Sequence, residues 1–236
     1  MLPTITTAVT KPKKIHYSVN WAGAVNSSPP SGRFAAVKMN LTLPKTLGPD
    51  YFQPNNEYYA ANAWLGIDGW SHRTALLQAG IVMEVNKSIS EELVFRPWYE
   101  WWPKEAMFFD IPMGPGDDIQ IEVVMFNATY GKIILENLSR GEWVARKLKS
   151  PYPDAGLVGS SVEWIMEDFA LAVGGNVPFG NFGMIQLRDC TAYTSENDMV
   201  TPDPSQSFWI RQKNITRARS TVSGSLVTIE YNRPSI

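Results

Sequence analysis

Turn-forming residues punctuate this chain so regularly that few architectures can hold it. From Val19 onward, apolar, β-branched and aromatic runs are closed by Pro, Gly, Asp or Asn at intervals of about 8–12 residues. That spacing signals no strong helix and suits short strands. AVKMNLTLP (36–44), YYAANAWLGIDG (58–69), TALLQAGIVMEV (74–85) and LVFRPWYEWWP (93–103) read as strands. IQIEVVMF (119–126), KIILENL (132–138), EWVARKL (142–148) and GMIQLRDCTAY (183–193) follow, with FWIRQ and SLVTIEYN as a closing pair. No linker and no fixed-period repeat divides them. The pattern predicts one all-β domain, a sandwich or barrel, over residues 19–236.

The chain has 236 residues, of which 44% are apolar, with nine Trp, nine Tyr and ten Phe, so material for a sizeable core is present. Its 21 Lys and Arg nearly balance 23 Asp and Glu, and no basic run occurs, which argues against a nucleic-acid partner. No apolar run approaches the roughly 18 residues of a membrane helix, and a monomer is expected. Cys190 is the single cysteine, so no intrachain disulfide can form, and zinc-type Cys/His spacings are absent. Neither cofactor nor metal is expected. A Ser-His-Asp triad would need His16 or His72, and His72, in GWSHRT, reads as a turn residue.

The first residues, MLPTITTAVTKPKK, lack the apolar core of a signal peptide and read as part of a mobile leader spanning residues 1–18. Six N-x-S/T sequons, at Asn26, Asn40, Asn86, Asn127, Asn137 and Asn214, exceed the about two that chance would give. They point to a secreted protein.

The stretch richest in chemistry is SVEWIMEDF (161–169). As a strand it sets Glu163, Ile165, Glu167 and Phe169 on one face, where apolar neighbours would tune a carboxylate toward acid or base work. As a helix, Val162, Ile165, Met166 and Phe169 would form the apolar stripe and the two Glu an ordinary solvated pair. This segment leaves both readings open.

The wider order of motifs is more specific. NWAG (20–23), WLGIDG (64–69), LLQAG (76–80), WYEWWP (98–103), GDDIQ (116–120), LENL (135–138), VEWIMEDF (162–169) and VPFGNFG (177–183) follow one another. This series resembles the glutamic peptidase family, the eqolisins, over about residues 20–190. The resemblance implies a β-sandwich of two antiparallel sheets of the concanavalin A-like type, with a groove that takes polypeptide substrates. It implies a catalytic dyad of Gln78 and Glu167, a supporting Asp68, and groove-lining Trp64 and Trp98. The residues agree: strand alternation turns Leu77, Ala79 and Ile81 to the core and Gln78 away from it. Asp68 sits at a turn, where the ordinary role of an Asp is to cap backbone amides.

Two positions depart from the family pattern. Val82 and Arg96 stand where acidic residues are usual, Arg96 within reach of either Glu167 or Glu100. An aromatic groove with altered neighbours also suits a non-catalytic or carbohydrate-binding sandwich. A glycosidase would need a carboxylate pair at the cleft, and Glu163 lies about 13 Å from Glu167 along an extended strand, too far to share the work.

Overall fold

The computed structural model describes residues 15–170, 177–203 and 206–233. They contain sixteen strands and no helix. The first eight are β1 (Ile15–Ser18), β2 (Trp21–Asn26), β3 (Phe34–Thr42), β4 (Tyr58–Asp68), β5 (Leu76–Asn86), β6 (Ser90–Trp102), β7 (Met107–Phe108) and β8 (Asp118–Asn127). The others are β9 (Tyr130–Asn137), β10 (Glu142–Lys149), β11 (Val162–Glu167), β12 (Met184–Thr194), β13 (Met199–Val200), β14 (Gln206–Gln212), β15 (Ile215–Ser223) and β16 (Leu226–Tyr231).

The hydrogen-bonded order is β10-β9-β8-β3-β12-β16-β15-β14-β2-β11-β4-β5-β6-β7, with β13 on β12. All these pairs are antiparallel, and β1 alone lies parallel to its neighbour, β14. The expected division into two sheets does not appear as a break in this order. The strands curl instead, so that one stretch faces another. Trp164 of β11 donates its indole N–H to the Lys38 carbonyl of β3 at 3.0 Å. Leu77 of β5 packs so closely on Gly131 of β9 that a β-carbon there would lie 2.4 Å from its side chain.

Alternation explains the layering. In β8, Ile119, Ile121, Val123 and Met125 are buried while Gln120 and Glu122 face outward. With Met39 and Leu41 of β3, and Ile133 and Leu135 of β9, they meet Leu65, Leu77, Ile81, Trp164 and Met166 in one core. β4 is buried along nearly its whole length, because it is covered on both faces. On its far face a second apolar cluster, Val25, Trp64, Leu76, Trp98, Ile165 and Phe208, forms the floor of a groove.

Several sequence readings change here. Residues 162–167 are a strand, so the helical alternative falls. β15, ITRARSTVS, was not anticipated: two arginines disguise it, and Arg217 is buried only because it pairs with Asp50 at 2.7 Å. Ile15–Ser18, assigned to the leader, form β1, while residues 1–14 lie outside the described residues. So does most of the cysteine-free loop after Phe169, at 171–176.

Candidate active site

Four neighbouring strands set side chains in transverse rows on the groove face. One row runs Glu163, Gly66, Gln78, Glu100; the next Ile165, Trp64, Gly80, Trp98; the next Glu167, Asn62, Val82, Arg96. Glycine is required where the rows are crowded. A β-carbon on Gly80 would lie 2.5 Å from that of Trp64, so only glycine lets this indole lie across the neighbouring strand.

Gln78 and Glu167 line the same cavity, of about 410 Å³, together with Trp64, Trp70, Leu76 and Trp102. Arg73 stands beside them, its guanidinium 5.8 Å from the centre of the Trp70 ring. Trp102 is 42% exposed, so the groove presents an open aromatic edge.

The Glu167 carboxyl is held by three donors. Asn20 Nδ2 and Trp21 Nε1 reach Oε1 at 2.8 and 3.1 Å, and Trp64 Nε1 reaches Oε2 at 2.9 Å. The two indoles pack edge to face at 5.1 Å, which fixes both N–H vectors. Burial pushes the Glu167 pKa up from 4.5 to about 7, against the pull of Trp21, Trp64 and Asn20, and the Glu100 charge adds to the rise. Burial therefore outweighs three hydrogen bonds, and the carboxyl is neutral in acid.

Gln78 is nearly buried and donates through Nε2 to Oε2 of Glu100, directly across on β6. This fixes which way the amide faces. Burial raises the Glu100 pKa as well, and the Gln78 contact partly offsets it. Sequence reasoning missed Glu100, Asn20 and Trp21 as site residues, although all three lie in motifs it singled out, WYEWWP and NWAG.

The other expected site residues fall around this pair. Asp68 is fully buried with φ +70°, and its carboxylate accepts from the backbone N–H groups of Val158, Gly159 and Ser160 at 2.7–2.9 Å. It also takes the Ser160 hydroxyl, so it fastens the loop before β11. Trp64 is fully buried and meets the site through its N–H. Trp98 is 5% exposed, belongs to the floor, and donates to Asn62 Oδ1 at 2.8 Å.

Arg96 pairs with Glu84 at 2.5 Å, and with neither Glu167 nor Glu100. The adjacent strand offers Glu84 two residues along from Val82. Val82 packs against the floor cluster. Glu163 is fully buried, and burial holds its pKa well above 4.5. His72 Nε2 donates to the Gly156 carbonyl and also lies against Thr74 Oγ1, both contacts at 2.9 Å and part of a turn.

Comparison with known proteins gives the family. The Peptidase A4 family matches residues 19–231. Aspergillopepsin-2 of Aspergillus niger is 32% identical over 226 residues, covering 91% of this chain and 78% of that protein. Scytalidopepsin B of Scytalidium lignicola is 29% identical over 219 residues, covering 90% and 77%. The structure of scytalido-glutamic peptidase with a transition-state analogue inhibitor superposes with a TM-score of 0.77 at 28% identity, covering 91% of this chain and 98% of that one. Aspergilloglutamic peptidase from Aspergillus niger gives 0.67 at 32% identity, covering 74% and 99%. A family match over residues 19–231, with a relative 32% identical over most of both chains, means that this chain belongs to the Peptidase A4 family of glutamic peptidases.

Proposed function

We propose that the protein is a glutamic endopeptidase in which Gln78 and Glu167 act together on a water molecule and the scissile amide. The observation that carries this reading is that both side chains face one aromatic cavity, with Glu167 poised near neutrality and Gln78 fixed in orientation. The ionised Glu167 takes a proton from water, which attacks the carbonyl carbon. One Gln78 N–H stays on Glu100 while the other donates to the developing oxyanion. The protonated Glu167 then returns its proton to the departing nitrogen. Gln suits the oxyanion role because it donates without titrating.

Asp68 supports the site from below by holding the 158–160 loop, and Trp64 serves the carboxylate more than the substrate. Trp70 and Trp102 offer the aromatic surface for peptide side chains, with Trp98 beneath them. The curled sheet corresponds to the two-layered sandwich of the family. The protein works outside the cell as a monomer. The carbohydrate-binding alternative is not favoured, since the relatives are peptidases and the cavity retains both members of the dyad.

The test is digestion of a denatured protein by the purified chain, by Glu167→Gln and by Gln78→Ala, with pepstatin present. Hydrolysis by the parent alone is expected. Equal hydrolysis by either variant would refute the dyad.

A further inference from the structure

Six sequons are scattered over the strands, and the fold treats them very differently. Asn137 is fully buried, and its Nδ2 donates to the Pro112 carbonyl at 3.0 Å and to Asp117 Oδ2 at 2.9 Å. Asn40, in mid-strand, gives its Nδ2 to Asp189 at 2.8 Å, while its Oδ1 accepts from Gln120 at 3.0 Å. Asn26 is 8% exposed. Asn86 is half-buried, and the hydroxyl of its sequon serine, Ser88, is committed to Glu57. A sugar on Asn137 or Asn40 would displace bonds that the fold uses, and Asn26 is itself nearly buried at the end of β2.

Asn127 and Asn214 are different. Each is exposed at the tip of a tight hairpin, between β8 and β9 and between β14 and β15. Asn214 adopts φ +66° after Lys213 at +46°, the left-handed pair that a two-residue hairpin turn demands. At Asn127 the sequon is already arranged for chemistry. Oδ1 accepts both the backbone N–H and the hydroxyl of Thr129, at 2.9 and 3.2 Å, and this leaves Nδ2 facing outward. Neither Asn127 nor Asn214 is among the residues lining the catalytic cavity.

We propose that Asn127 and Asn214 are sites of N-linked glycosylation. The donor is a polyisoprenyl-pyrophosphate-linked oligosaccharide. Nδ2 forms a bond to the anomeric carbon, the carbon–oxygen bond to pyrophosphate breaks, and the lipid pyrophosphate leaves with the electron pair. The amide nitrogen gives one proton to a base of the transferase. The proposal rests on passage through a secretory pathway and not on the peptidase reading.

The full chain, secreted from a eukaryotic host behind that host's own signal sequence, tests the acceptor sites directly. Treatment with a peptide-N-glycosidase should leave Asp at positions 127 and 214 and Asn at 40 and 137. Asn127→Gln and Asn214→Gln should each lose one glycan step on a gel, Thr129→Ala should lose the step at 127, and the Asn127/Asn214 double variant should run as bare protein with undiminished peptide hydrolysis. Secreted protein without sugar at both sites, or with sugar on Asn137 or Asn40, would overturn the assignment. Activity of the bare double variant is read separately, so loss of the peptidase reading would leave the glycan map intact.

Discussion

The Gln78 amide nitrogen donates to the Glu100 carboxyl directly opposite it on β6, so the amide of the proposed dyad is held by a half-buried acid. The same acid raises the pKa of Glu167 through its charge. One residue thereby holds the orientation of Gln78 and adds a smaller push, behind burial, to the Glu167 pKa. Glu100→Gln removes the charge and keeps a polar group of the same size. The Glu167 pKa should fall, so the acid limb of the kcat/KM profile should move to lower pH. Glu100→Ala should also free the Gln78 amide and lower kcat by about 10-fold or more, with little change in KM. An acid limb unmoved in both variants would separate Glu100 from the dyad.

Loss of Gln78 itself should be larger. Removing one oxyanion donor lowers kcat by about 10²–10³, and Gln78→Ala is expected in that range with thermal stability little changed, because Gln78 lies on the groove face. Glu167→Gln should be inactive and, at neutral pH, at least as stable as the parent. The sign follows from the raised pKa. Below 4.5 the carboxyl is neutral in folded and unfolded chains alike, and from 4.5 to about 7 the unfolded chain ionises first, which draws the protein toward unfolding. The variant escapes that loss.

The three donors on Glu167 work in the opposite sense to burial. Trp64→Phe keeps the ring and deletes the Nε1–H, and Asn20→Leu deletes the amide. Each should raise the Glu167 pKa further and move the acid limb upward, which a pH series of kcat/KM reads directly. Arg96→Asp, by contrast, sets two acids side by side at Glu84 and should lower stability while leaving that limb in place. A downward shift in the Trp64 variant would mean that its indole does not hold the carboxylate.

How much of this was written in the sequence depends on the interaction concerned. Alternation alone put Gln78 on the groove face and Leu77, Ala79 and Ile81 in the core, because a two-residue period survives any register. Pairings across strands do not have that protection. Arg96, Trp98 and Glu100 share a face in any reading, but whether Glu100 meets Gln78 and Arg96 meets Glu84 depends on the β5–β6 register set by the turn at 87–89. The Trp21 and Trp64 contacts to Glu167 bring together residues more than a hundred positions apart. β15 stayed hidden because its inward arginine looks like surface until Asp50, from a distant loop, neutralises it.

Glu163 gives the sharpest stability prediction. It is wholly buried on β11, with Val25 and Gly66 beside it, and burial raises its pKa well above 4.5. Ser161 and the Trp70 backbone N–H pull the other way, and the charge of Asp68 adds to the rise. Below 4.5 the carboxyl is neutral in both states and stability is unaffected. As pH climbs beyond that, the unfolded chain releases a proton that the folded chain keeps, and stability falls by about 1.4 kcal/mol per pH unit until the folded group ionises too. Glu167 and Asp168, raised to about 7 and about 6, add slopes of the same sign over narrower windows. The fold should therefore be most stable in mild acid and weaken toward neutrality. Glu163→Gln should match the parent near pH 4, apart from a constant offset from its own packing, and lose stability more slowly from pH 5 to 8 in denaturant titrations. Parallel curves across that range would show that Glu163 does not hold its proton in the folded protein.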